Sequence, residues 1–194
     1  MHKNKLILLL IFLSANIIVL AQPVPPSLSF EIKTSPNIDF SFNTIKDYQI
    51  GITKFNVITL NINAIGTEWD LYTQATTMIP NVWDQTGVYY GSSGILPPVN
   101  ILQLNFKNAN NTSQQVGYFP ISNSPTYIIG TAVSDPTVNC AANQPSNVPG
   151  TYLTSPACNK FNVDFRVIPG LTPPNICRPG IYTIRVDFIV VEDL

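Results

Sequence analysis

Between residues 181 and 191 the side chains alternate without a break, with Tyr182, Ile184, Val186, Phe188 and Val190 on one side and Thr183, Arg185 and Asp187 on the other. Successive side chains of a β-strand project to opposite faces, so a period of two builds a strand with one buried face, and an α-helix cannot use it. The same rhythm recurs in Phe161, Val163, Phe165 and Val167 set against Asn162, Asp164 and Arg166. It returns in Leu28, Phe30 and Ile32, in Ile58, Leu60 and Ile62, and in Leu102, Leu104 and Phe106. Shorter alternating stretches at 38–42, 48–53, 69–75, 115–119 and 127–133 bring the expected number to about ten strands separated by turn residues, the pattern of a sandwich or barrel. No stretch holds a helical repeat; a helical turn fits best at 78–85, where Pro80 keeps it short. No internal repeat at a fixed period is present, which argues against a solenoid or propeller. Two long irregular regions, 83–98 and 134–159, lie between the strands, and loops of that length in a compact domain are commonly functional.

The N-terminal segment sets the expected compartment. His2, Lys3 and Lys5 precede an apolar block from Leu6 to Leu20, followed by Val19-Leu20-Ala21 and the proline-rich run Gln22-Pro23-Val24-Pro25-Pro26. A basic start, a short apolar centre and small residues before a cleavage point make a secretory signal, here ending at Ala21. A retained membrane anchor is the alternative, but the block is shorter than the ~20 apolar residues that span a bilayer and carries Asn16 near its middle. Residues 22–194 are then expected as one domain in a secreted, periplasmic or cell-surface setting, with no integral membrane segment. Cleavage leaves 8 basic against 11 acidic residues, and no Lys/Arg cluster suited to a phosphate backbone, so nucleic acid is not an expected partner. Charged residues make up 11% of the chain and 17 prolines are spread along it, a profile of an extracellular β-protein with long polar loops.

The one histidine, His2, lies in the signal. Histidine-dependent serine or cysteine hydrolases and imidazole zinc sites are thereby excluded from the mature chain. The acids are too scattered to suggest calcium, and no cofactor or metal is expected. Of the three cysteines, Cys140 and Cys158 share one long irregular region and are the favoured disulfide; Cys158 with Cys177 is the rival, and an odd thiol remains either way.

Trp83, Asp84, Gln85, Tyr89 and Tyr90 fall within one long loop. They form the candidate ligand-binding set, with aromatic rings to stack on sugars and Asp84 and Gln85 to hydrogen-bond; the competing expectation is that Trp83 and Tyr89 fold back over an edge of the sandwich. Glu68 and Asp70 flank Trp69, and the alternation sends both carboxylates to a solvent-facing side with Trp69 inward. As an acid–base pair they suit a glycosidase, while as a strand face they are merely solvated. Overlapping glycosylation sequons in Asn110-Asn111-Thr112-Ser113 also read as a polar hairpin tip.

The segment Arg178-Pro179-Gly180-Ile181-Tyr182-Thr183-Ile184-Arg185-Val186-Asp187-Phe188 resembles the closing strand of spore coat U-like and chaperone-usher pilus proteins, where Pro-Gly-x-Tyr opens a long alternating strand. Gly66-Thr67-Glu68-Trp69-Asp70-Leu71 is similar to a Trp-x-Leu element of bacterial cell-surface domains. These resemblances cover about 17 of 173 mature residues, and the family's cysteine placement is not matched. They imply an immunoglobulin-like or jelly-roll-like antiparallel β-sandwich used in bacterial surface assembly or adhesion. In such assemblies a subunit donates an N-terminal strand to its neighbour; Leu28, Phe30 and Ile32 are placed for that, or for the domain's own first strand, which is preferred. The expected function is a non-enzymatic structural or adhesive surface module, pilus-like or fibre-forming, with other surface proteins or its own copies as partners. A carbohydrate-binding module taking glycans on the aromatic loop is the first alternative, and a secreted glycosidase the second.

Overall fold

The computed structural model describes residues 24–33, 37–88, 94–131, 147–171 and 176–193. The chain is all-β: antiparallel sheets packed as a sandwich. In order, the elements are β1 (Ser27–Lys33), helix α1 (Ile45–Ile50), β2 (Ile52–Ile65), β3 (Trp69–Thr76), β4 (Asp84–Val88), a 3₁₀ turn (Val99–Ile101) and β5 (Leu102–Asn108). There follow β6 (Phe119–Pro120), β7 (Thr126–Ile129), β8 (Gly150–Thr151), helix α2 (Pro156–Asn159), β9 (Lys160–Val167), β10 (Gly180–Thr183) and β11 (Arg185–Glu192).

One sheet runs β1-β2-β9-β5-β6, with β8 also on β2; the facing sheet runs β11-β3-β7; β10 and β4 form a separate pair. The alternation explains the core. Leu60 and Ile62 of β2, Phe161 and Val163 of β9, and Leu104 and Phe106 of β5 meet Trp69 and Leu71 of β3 and Ile128 and Ile129 of β7, all essentially excluded from solvent. Phe106 stacks on Phe119 at 6.1 Å and meets Phe188 edge-on at 5.8 Å, so β11 closes the core through its own alternating face. Each such side chain contributes roughly 1.5–3 kcal/mol by burial.

Several elements differ from the alternation's expectation. Of residues 48–53 only Ile52 and Thr53 are in a strand, the start of β2, while 48–50 are helical: Thr44 and Asp47 make a reciprocal capping box, with Thr44 Oγ1 accepting from the Asp47 amide at 3.2 Å and Asp47 Oδ2 accepting from the Thr44 amide at 2.8 Å. That cap starts α1, and the same hydrogen bonds from Thr44 hold the Asp47 carboxyl below its ordinary range. Conversely, 78–85 is a turn rather than a helix, since Asp84 Oδ1 accepts from the Met78 amide at 2.7 Å and ties the bend to β4. Residues 38–42 form no regular element and join no ladder. The long alternating run at 181–191 is two strands, because the chain breaks at Ile184 and passes from the β4 pairing to the β3 pairing.

Candidate functional site

Two polar regions outside the core bear on function. The first covers the outer face of the larger sheet. Asp164 points outward from β9, yet its side chain is only 2% exposed. A bulge in β2 between Lys54 and Ile58 places Asn56 at φ +51°. Its amide donates to Asp164 Oδ1 at 2.8 Å. Lys107 Nζ lies 2.8 Å from Asp164 Oδ2. Asn105 Nδ2 and the Tyr118 hydroxyl donate to the same oxygen at 3.4 Å each. Arg166 stacks on the Tyr118 ring at 4.0 Å, and its Nε donates to Gln103 Oε1 at 2.9 Å. Burial and the Asp164 charge push the Tyr118 hydroxyl's pKa up. Both carboxylate oxygens have donors, one on Oδ1 and three on Oδ2, so the cluster pins the bulge and the 113–118 loop to the sheet.

The second region is a groove. Two adjoining hollows of about 570 and 720 Å³ share Ile38, Asp39, Phe40, Trp83 and Tyr182 in their walls. One wall is the segment 37–43, which belongs to no sheet and whose Phe40 and Phe42 lean on the core. Phe42 packs against Tyr48 at 5.3 Å, and Lys54 caps Phe40 at 5.4 Å. The opposite wall is residues 177–179 and the β10 strand that follows them. Gly94, at φ +101°, lets that wall form: a Cβ there would sit 2.7 Å from the Ile176 carbonyl, in the close crossing where the Arg178 amide donates to the Ile95 carbonyl at 3.0 Å.

Arg178 is held from two sides. Its Nη2 donates to Gln85 Oε1 at 2.7 Å, and the Tyr182 hydroxyl donates to its carbonyl at 2.7 Å. Its Nε is nevertheless buried without a hydrogen-bond partner among the described residues, and so is the Trp83 indole N–H. A buried donor left unpaired costs ~1–3 kcal/mol, which makes two of them on residues lining one groove a feature that calls for an acceptor. Cys177 in the same wall is a free thiol whose pKa burial raises, so it is not poised as a thiolate.

The sequence-predicted residues divide. Trp83 reaches the groove as a half-buried ring resting on the core rather than as an exposed loop aromatic. Gln85 acts there indirectly, by orienting Arg178. Asp84 is spent on the 78–84 bend. Tyr89, Tyr90 and Cys140 lie outside the described residues. Because Cys177 is free and Cys158 is engaged, the Cys158–Cys177 alternative is set aside. The groove's Arg178, Tyr182, Phe40 and Tyr48 were missed; Arg178 and Tyr182 stood in the sequence only as parts of a turn and a strand face.

The expectation that Asp70 faces solvent is corrected: it is 4% exposed. It does point away from Trp69, but Gly130 lies directly over it, at a φ of +75°, where a Cβ would come within 1.6 Å of Asp70 Oδ1. Burial, then the neighbouring Asp193 charge, raise the Asp70 pKa to about 6, against donors from Asn147 and the Thr131 amide. Asp70 lines neither hollow, and Asp39 is the one carboxylate among the described residues that does.

No protein-family model matches the chain, and no curated protein matches it. Among the described residues no helix is long and apolar enough to cross a membrane, and no three side chains of metal-ligating type cluster.

Proposed function

We propose that the protein is a secreted, non-enzymatic adhesive module of a bacterial surface that holds a carbohydrate in the Trp83–Tyr182 groove. The observation that carries this reading is the pairing of aromatic walls with two unsatisfied donors. The C–H face of a pyranose packs on a ring such as Trp83 or Tyr182, while its hydroxyls accept from Arg178 Nε and the indole N–H after a small side-chain adjustment. Hydrolysis is a weaker fit, because a glycosidase sets two carboxyl groups roughly 5–10 Å apart across the bond, and Glu68 and Asp70 are not groove residues. The reading includes export by the segment ending at Ala21 and a Cys140–Cys158 bridge, the pairing left when Cys177 is free.

A glycan array probed with the purified protein tests it. Hits that disappear in Trp83→Ala and persist in Glu68→Gln support the groove. An array without hits, or hits indifferent to Trp83, refutes the carbohydrate reading. Release of reducing sugar from a bound glycan would return the enzyme reading.

A further inference from the structure

Arg178 brings a charge into the groove that its neighbours leave unspent. Its backbone is fixed on both sides: the amide donates to the Ile95 carbonyl at 3.0 Å, and the carbonyl accepts from the Tyr182 hydroxyl at 2.7 Å. The residue is half-buried, and the bond from Nη2 to Gln85 Oε1 is the one hydrogen bond its guanidinium makes among the described residues. Gln85 is turned for that contact, since its own Nε2 donates to the Gly87 carbonyl at 3.4 Å. A Cβ at position 180 would stand 2.9 Å from the same Nε2, so Gly180 leaves the amide its place.

No counter-charge meets this guanidinium. Arg185 pairs with Asp187 at 2.9 Å, and Arg166 lies on the Tyr118 ring, whose hydroxyl donates to Asp164. Arg178 forms no ion pair among the described residues, and the side chain it does touch is a neutral amide. A guanidinium keeps its proton under all ordinary conditions, so taking it part-way out of water is best offset by an anion. Asp39 does not serve: it is exposed, lines both hollows and makes no ion pair with Arg178, which lines only the larger hollow. The unneutralised positive charge therefore belongs to one end of the groove.

We infer, on the strength of the carbohydrate reading, that the groove's ligand is an acidic glycan, with the carboxylate of a uronic acid unit held by Arg178 in the larger hollow. A carboxylate matches the planar guanidinium and accepts charge-assisted hydrogen bonds that are about twice as strong as those to a neutral hydroxyl. Gln85 sets the guanidinium in position without cancelling its charge, which a glutamate at 85 would do.

Calorimetric titration of the purified protein with matched hexamers isolates the charge: cellohexaose against the glucuronic acid hexamer of the same linkage, and mannohexaose against its mannuronic acid counterpart. The readout is the ratio of neutral to acidic Kd within a pair. In the wild type at least one acidic hexamer should bind about tenfold or more tighter than its neutral counterpart, and the ratio should shrink as NaCl rises from about 0.05 to about 0.5 M. Gln85→Glu, which gives Arg178 a carboxylate from within, and Arg178→Gln, which removes the charge, should each bring the ratio to about one or below. Arg178→Lys should keep part of it, with circular dichroism confirming that every variant is folded. A wild-type ratio near one while the neutral hexamers bind overturns the acidic ligand and leaves the carbohydrate reading standing. Binding of none of the four hexamers overturns both. A ratio that survives Gln85→Glu and Arg178→Gln, or that ignores salt, overturns the assignment to Arg178.

Discussion

The Asp164 cluster and the Trp83 groove are both polar regions laid against the same apolar core, and they differ in whether their hydrogen bonds are complete. Around Asp164, a bulged backbone amide, an ammonium, a side-chain amide and a phenol all converge on one carboxylate. Around Trp83 the aromatic faces are gathered, but the indole N–H and Arg178 Nε have no acceptor among the described residues. A saturated network has nothing left to offer a ligand and serves the fold; an unsaturated one in a groove costs stability that binding can recover.

Removing one partner from each region should therefore give opposite outcomes. The largest loss of stability is expected for Asp164→Ala, which leaves Lys107 and the Asn56 amide facing an empty site. Unfolding by urea should report a loss on the order of 3 kcal/mol, with glycan binding by the folded fraction unchanged. Trp83→Ala should do the reverse. Its ring is only half-buried and one unsatisfied donor leaves with it, so the stability loss should be about 1–2 kcal/mol while binding disappears.

Asp70 sharpens the contrast, as a buried group whose state depends on pH. Its folded pKa of about 6 lies above the ordinary aspartate value of 3.8, so the folded state binds the proton more tightly than the unfolded one. The stabilisation is therefore complete below about pH 4 and is lost as pH rises through about 6, a fall on the order of 2 kcal/mol. Denaturation midpoints from pH 4 to 8 should show this decline in the wild type and a flatter profile in Asp70→Asn. The smallest effect is expected at the α1 cap, where Thr44→Ala should cost about 1 kcal/mol by urea denaturation and leave the groove's Tyr48 wall less ordered.

These regions were unequally legible in the sequence, for physical reasons. Strands such as β5 and β9 announced themselves, because each buries one face and period two records that fact directly. The same period could not show that the run through Ile184 changes partners, since alternation reports which face is buried and not which backbone lies alongside. Helix α1 is too short to show a period, and its only signal was Thr44 followed three residues later by Asp47. Asp70 alternated as a surface residue should, but residues 130–131 and 147 return from far along the chain to cover it. Trp83 was recognisable as a large aromatic in a long region. Its groove partners Arg178 and Tyr182 lie about 95 residues away, brought to it by the β4–β10 pairing and the Ile95–Arg178 crossing, and local pattern carries no information at that range.

The groove can be tested in a single titration, because the two tryptophans report separately: Trp69 is sealed in the core with its N–H donated to the Val148 carbonyl at 3.2 Å, while Trp83 lines the groove with its N–H unpartnered. Intrinsic fluorescence would be followed as cellohexaose, chitohexaose and mannohexaose are added in turn to the wild type and to Trp83→Phe. The account predicts a saturable change with at least one of these sugars in the wild type and none in Trp83→Phe. A silent wild type with all three, or a change that survives the loss of Trp83, would contradict it.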